Sequence, residues 1–237
     1  MRGLLVASGG IDSTTLMYEL ARQGDLAMVM LFDYGQASRQ RQIECVTYHA
    51  KEVGAPLQVM QIPWPTQIRG SGHIFRVGAA PQGLDDAYDA VKMTHAEYQK
   101  YLYDRWNFLE GRNIVFHSYA CAWAIATGLK VVYNAFQFDA PEWESVGHRT
   151  NARMGNDTSG AWVRAFNQLA TNDGFSKPVK VVSPYLEQQA VKLDIVGRAR
   201  RLDVNLEMTH SCEFFPACGV CHQCLIRKEV LDATTFF

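Results

Sequence analysis

Apolar runs of strand length alternate along this chain with longer stretches whose apolar positions recur every three to four residues. The first run, residues 4–7 (Leu-Leu-Val-Ala), predicts a short buried strand, and residues 13–22 follow with helical spacing up to Gly24. Residues 27–32 are continuously apolar, as in a strand covered on both faces. A helix is predicted over 38–53, stopping at Gly54, and a third strand over 57–62. A weakly patterned stretch comes next, about 63 to 105, within which 94–104 has helical spacing. Residues 113–128 then read as a buried helix and 130–136 as a fourth strand. A second irregular stretch, 137–155, leads to a helix over 157–171, a short strand over 179–182 and a helix over 187–202. The cysteine-rich end finishes in one or two helical turns. This alternation predicts an α/β fold, a parallel five-stranded sheet with helices on both faces. No internal repeat, low-complexity tract or domain boundary is visible.

At 237 residues, 48% of them hydrophobic, the chain can bury a full core. A net charge of −1 gives no case for a nucleic-acid or membrane-surface partner. The basic clusters Arg39/Arg41 and Arg198/Arg200/Arg201 read as solvated helix faces. No apolar stretch reaches the ~20 residues of a membrane span. Met1-Arg2-Gly3 runs directly into the first strand, which leaves no room for a cleaved leader. The expectation is a cytoplasmic protein whose thiols stay reduced.

Chemistry is concentrated at the two ends. Residues 8–13 read Ser-Gly-Gly-Ile-Asp-Ser between the first strand and its helix. Gly9 and Gly10 let the backbone approach a ligand closely, and the helix start aims N–H groups at one point, which suits an anion. Ser8, Ser13 and Thr14 add hydroxyls. Asp12 is out of place beside a polyanion unless it orients the loop or holds a metal ion. The lysine of a Walker A loop is absent, and so is the glycine pattern of a dinucleotide fold. At the other end, Cys212, Cys218, Cys221 and Cys224 fall within thirteen residues, enough thiolates to wrap one tetrahedral ion, for which zinc is the usual occupant. Cysteines of a ferredoxin would carry a following proline, which is missing here. Cys45 and Cys121 sit in apolar helical stretches and read as core residues.

The Ser-Gly-Gly-x-Asp-Ser turn resembles the PP-loop of the ATP pyrophosphatases, which cleave ATP between the α and β phosphates and load AMP onto a substrate. Three further segments narrow the resemblance: Phe32-Asp33-Tyr34-Gly35-Gln36, Gly111-Arg112-Asn113, and Thr209-His210-Ser211-Cys212 with Pro216-Ala217-Cys218-Gly219-Val220-Cys221-His222-Gln223-Cys224. Together they are similar to the 7-cyano-7-deazaguanine synthase, or QueC, family over essentially the whole chain. The resemblance implies an adenine nucleotide α-hydrolase-like fold and one PP-loop domain over 1–237, including a four-cysteine zinc segment at 209–227. It further implies a homodimer that uses ATP, Mg²⁺ and structural Zn²⁺. The implied substrates are 7-carboxy-7-deazaguanine and ammonia, joined through an acyl-adenylate and an amide that a second ATP converts to the nitrile.

Residue by residue, the resemblance assigns the nucleotide to Ser8, Gly9, Gly10, Asp12, Ser13, Thr14, Asp33, Tyr34, Gln36, Gly111, Arg112 and Asn113, with Asp12, Ser13 and Arg112 nearest the chemistry. The family carries Asp-x-Ser-Gly-Tyr-Pro-Asp-Cys-Arg after the fourth strand. Here Asp139 fits the first Asp and Asp157 the second, as substrate-binding residues, but Thr158-Ser159 replaces Cys-Arg. Glu110 stands where the family has Pro before Gly-Arg-Asn. The lysine that commonly starts the next helix is Ala190 in register, with Lys192 two residues on. These departures leave open a different acceptor amine or a reaction that stops at the amide. A PP-loop sulfur transferase acting on tRNA is the reading from another class. It predicts a basic surface and a redox-active cysteine, which the charge and the full thiolate set oppose.

Overall fold

Leu4 and Leu5 are neighbours, are both fully buried, and belong to different hydrophobic clusters on opposite faces of one sheet. That arrangement follows from the two-residue period of a strand covered on both sides. The computed structural model describes residues 1–63, 111–138, 158–172, 175–212, 214–219 and 222–233. Among them are strands β1 (Gly3–Val6), β2 (Leu26–Asp33), β3 (Leu57–Gln61), β4 (Val131–Tyr133) and β5 (Lys180–Val182). The helices are α1 (Ile11–Gln23), α2 (Arg39–Glu52), α3 (Arg112–Ala126), α4 (Gly160–Asn172), α5 (Pro184–Glu187), α6 (Lys192–Arg201) and α7 (His222–Ala233). Among the described residues no helix is long and apolar enough to cross a membrane.

The five strands are all parallel, in the order β3-β2-β1-β4-β5. One face is covered by α1, α2, α6 and α7, whose Ile11, Leu16, Val46, Ile195 and Val230 meet Leu5, Val29 and Leu31. The other is covered by α3 and α4, whose Phe116, Ala120, Cys121 and Phe166 meet Leu4, Met30, Phe32 and Val132. Each large side chain so buried contributes about 1.5–3 kcal/mol. Chain order reverses between β1 and β4. In an open parallel sheet a ligand crevice forms at that point, beyond the carboxyl ends of the strands.

Among the described residues the expected sheet and helices are present, with three differences. The helix expected over 187–202 starts five residues later, as α6 at Lys192, and the short α5 before it ends at Glu187. Gln189 adopts φ 53 and ends α5, and Val191 is extended (φ −91, ψ 168) before α6 begins. The Asp194 carboxylate accepts from the Val191 N–H at 3.1 Å, capping the new helix from its third position. The fourth strand stops at Tyr133 rather than 136, because the Asn134 side chain takes the Phe136 N–H. The last helix is also longer than one or two turns, at 12 residues. The helix expected over 94–104 lies outside the described residues.

Candidate functional site

The start of α1 has no side-chain cap, and Gly10 is its first non-helical residue. Among the described residues no acceptor meets the N–H groups of Gly10, Ile11, Asp12 or Ser13, since the first intrahelical bond is Thr14 N–H to Gly10 O at 3.1 Å. Four donors therefore converge with the positive end of the helix dipole. Ser13 braces the turn from within: its Oγ accepts from Ser8 N–H at 3.2 Å and donates to Gly10 O at 3.3 Å. Gly9 has φ +77, and a Cβ there would lie 3.2 Å from both Cys45 Cβ and Gln42 O, so glycine is required twice over.

A cleft of about 290 Å³ opens beyond the carboxyl ends of β1, β2 and β4. Of the residues expected from sequence, Ser8, Gly10, Asp12, Ser13, Tyr34, Arg112 and Asn113 border it. The others stand behind it. Gly9 hands its carbonyl to His210 N–H at 2.7 Å, and Thr14 is fully buried in α1. Asp33 accepts from Gly35 N–H at 3.0 Å. Gln36, 1% exposed, holds Tyr34 N–H, Phe32 O and Gln42 Oε1, so it braces the loop after β2. Gly111 has φ 75 and sets the direction of α3. Asp139 and Asp157 lie outside the described residues.

Arg112 opens α3 and donates to the Tyr34 hydroxyl at 3.1 Å. Lys192 opens α6, and its Nζ lies 2.7 and 2.6 Å from the two Asp12 carboxylate oxygens, with the Lys and Asp side chains 12% and 24% exposed. Farther along the same helix pair Arg198 meets Glu19 at 3.5 Å, so α1 and α6 run parallel and begin at the cleft together. Asp12 is the sole carboxylate among the described residues bordering the cleft. Lys192 stands two positions past the expected register, and the sequence alone assigns it no role. The Asp194 cap, three residues past an extended Val191, was the local signal for where α6 starts.

The cleft floor carries a second feature the sequence did not indicate. His117, 1% exposed, hydrogen-bonds through Nδ1 to Asn113 O at 2.8 Å and through Nε2 to Asn134 Nδ2 at 2.9 Å. Asn134 Oδ1 in turn accepts from the Ser183 hydroxyl. A carbonyl on one side and an amide donor on the other require a neutral imidazole protonated at Nδ1. Burial pushes its pKa down to about 4. The unfolded chain then binds a proton that the folded chain refuses between about pH 6.5 and 4. His117 therefore withdraws stability as pH falls through that window, by roughly 3 kcal/mol at its acid end. Melting temperatures of the wild type and His117→Gln, compared at pH 7 and pH 5, should diverge, with the variant losing less on acidification. Equal losses would show that His117 does not carry this dependence.

Three of the four cysteines are described. The sulfurs of Cys212, Cys218 and Cys224 lie within 4.8 Å of one another, at 3.6 Å for the first pair and 4.0 Å for the second. Tetrahedral zinc with Zn–S bonds of ~2.3 Å separates its sulfurs by about 3.8 Å, so the donor set and spacing fit that ion. Phe214 and Cys218 N–H groups donate to Cys212 Sγ at 3.4 and 3.5 Å, which favours a thiolate. Cys221 lies outside the described residues. Cys45 and Cys121 are fully buried core residues, and burial raises both thiols, that of Cys121 to about 12.

The family described as queuosine biosynthesis protein QueC matches residues 2–235. The chain belongs to this family. The chain is also similar to curated relatives named 7-cyano-7-deazaguanine synthase. The one from Porphyromonas gingivalis is 26% identical over 230 residues, covering 96% of this chain and 91% of the relative. The one from Paracoccus denitrificans is 28% identical over 233 residues, covering 97% and 88%. The one from Methanothermobacter thermautotrophicus is 25% identical over 240 residues, covering 98% and 95%. The QueC match and the glycine turn at the sheet's reversal point therefore come from the same chain, end to end.

Proposed function

We propose that this QueC member is an ATP-dependent ligase that turns 7-carboxy-7-deazaguanine and ammonia into 7-cyano-7-deazaguanine. The observation that carries the reading is the group of four N–H donors at the start of α1, unsatisfied among the described residues and flanked by Arg112 and Lys192 at the starts of two other helices. Three helix N-termini and two cations facing one cleft suit a polyphosphate.

In this reading the Gly10–Ser13 amides hold the phosphates that leave as pyrophosphate, with Ser8 and Ser13 bracing the turn. The substrate carboxylate attacks the α-phosphorus, and Arg112 offsets charge on the oxygens that crowd there. Ammonia then attacks the acyl carbon, AMP departs, and the amide forms. The amide oxygen then attacks the α-phosphorus of a second ATP and pyrophosphate leaves. Departure of AMP together with the two amide protons leaves the nitrile. Magnesium carried on ATP would screen the phosphate oxygens, and Asp12 is the carboxylate suited to it. Lys192 holds Asp12 and offsets its negative charge beside the loop. His117 is neutral and fully hydrogen-bonded, so it keeps the floor of the cleft in shape without exchanging protons near pH 7. A zinc ion on the cysteines would have a structural part.

Incubating the protein with ATP, Mg²⁺, ammonium and the carboxylate should yield AMP and a base whose mass matches the nitrile. ATP turnover with the base unchanged would overturn the reading. Thr158 borders the cleft where the family pattern carries cysteine, so an amide end product is the second reading, and mass spectrometry separates the two.

A further inference from the structure

We infer that the cysteine knuckle is a positioning element for the nucleotide loop, and that His210 is the link. Residues 209–211 lead into Cys212 and lie against the glycine turn. The His210 N–H donates to Gly9 O at 2.7 Å, a short bond spanning two hundred residues of chain. Because a peptide unit is planar and trans, a carbonyl held toward His210 turns the following Gly10 N–H the opposite way. That N–H is one of the four donors that make the anion site. The peptide between Gly9 and Gly10 has no side chain to hold it. Its orientation rests on this outside contact and on the close approach of α2 at Cys45 and Gln42.

The other face of His210 is tied to the knuckle. Its ring, in a residue 8% exposed, donates from Nε2 to Phe214 O at 2.8 Å, and Phe214 in turn donates its N–H to Cys212 Sγ. Phe214, Cys212 and Ala37 pack as a small apolar cluster against the loop after β2. From α7, Arg227 donates to Thr209 Oγ1 and Leu206 O, both at 2.7 Å, holding the segment from behind. Ser211 and Gln223, immediately before the first and last cysteines, both border the cleft. Ser211 Oγ is buried and has no hydrogen-bond partner among the described residues. The knuckle thus lines part of the cleft and fixes one wall of the phosphate loop. A metal ion closing the thiolates would stiffen the same segment.

This inference rests on the proposed function only for the identity of the ligand. The test uses zinc-loaded full-length protein as wild type, His210→Ala and His210→Gln, with metal content measured in each. Alanine keeps the thiols and removes the ring bond, and glutamine restores a donor near the place of Nε2. Hydrogen–deuterium exchange without nucleotide should rise at residues 9–14 in the alanine variant and return toward wild type in the glutamine variant. The Kd of a non-hydrolysable ATP analogue should rise about tenfold in the alanine variant, with KM for the deazaguanine acid unchanged. Unchanged exchange and Kd in an alanine variant that keeps its metal would overturn the coupling. If alanine costs the metal itself, reloading it with excess zinc should leave the exchange high, and recovery to wild-type protection would overturn the role of the ring. Wild type that fails to bind the analogue would instead sink the proposed function, while the exchange experiment still decides the link.

Discussion

Replacing Lys192 by methionine is expected to slow AMP formation by about 100- to 1,000-fold, the usual effect of deleting one oriented charge from a transition-state site. Lys192 stands at the first position of α6, where a cation faces the positive end of its own helix dipole. The helix gains nothing from a lysine there, so stability should hold. What the lysine does is neutralise Asp12, whose two oxygens it meets at 2.7 and 2.6 Å. Without it a carboxylate faces the incoming triphosphate from the mouth of the phosphate loop. Methionine keeps most of the stem and removes the charge, and the Asp12→Asn/Lys192→Met double variant should be less impaired than the product of the two single effects, since the repulsion is gone. Steady-state AMP release at saturating ATP, read beside a thermal melt, checks both parts. A single variant within threefold of wild type would show that Lys192 is only a surface partner of α1.

Cys218→Ser is expected to have the largest effect on stability. Cys218 is the sulfur shared by both short pairs, 3.6 Å from Cys212 and 4.0 Å from Cys224. Bound structural zinc is worth an apparent ~10–16 kcal/mol in isolated fingers. In this chain part of that is retained, because α7 also packs Ile226 and Val230 into the main core. A net loss of about 4 kcal/mol corresponds to a melting temperature roughly 8–16 °C lower in a chain of this size. Elemental analysis should find the metal gone. Cys45→Ala, at a fully buried core position away from the knuckle, is the control and should keep it. A Cys218→Ser protein that retains one zinc per chain and melts normally would remove the cysteines from any metal site.

Features set by local physics are legible in the sequence. Apolar runs on β1 and β2, helical spacing on α1 and α3, and the left-handed glycine after α1 are set by neighbours within a few residues, so the parallel sheet and its strand-to-helix glycine turn were legible. The short cysteine spacing was legible for the same reason. The break between α5 and α6 was missed because helical spacing continues through Gln189, whose φ of 53 periodicity does not register.

The chain's own order of residues therefore determined the elements, their alternation, and the two chemical motifs at its ends. Only the tertiary structure decided who faces whom. It brought Lys192 onto Asp12, His210 onto Gly9, and His117 into line with Asn134 and Ser183. It also turned Gln36 inward to brace a loop. Each of these pairings except the last joins residues far apart in sequence, where no spacing rule operates. The Lys192–Asp12 pair forms because helices that start at the same rim of a parallel sheet bring their first turns together, and the others form because the segments that follow the strands meet at that same rim.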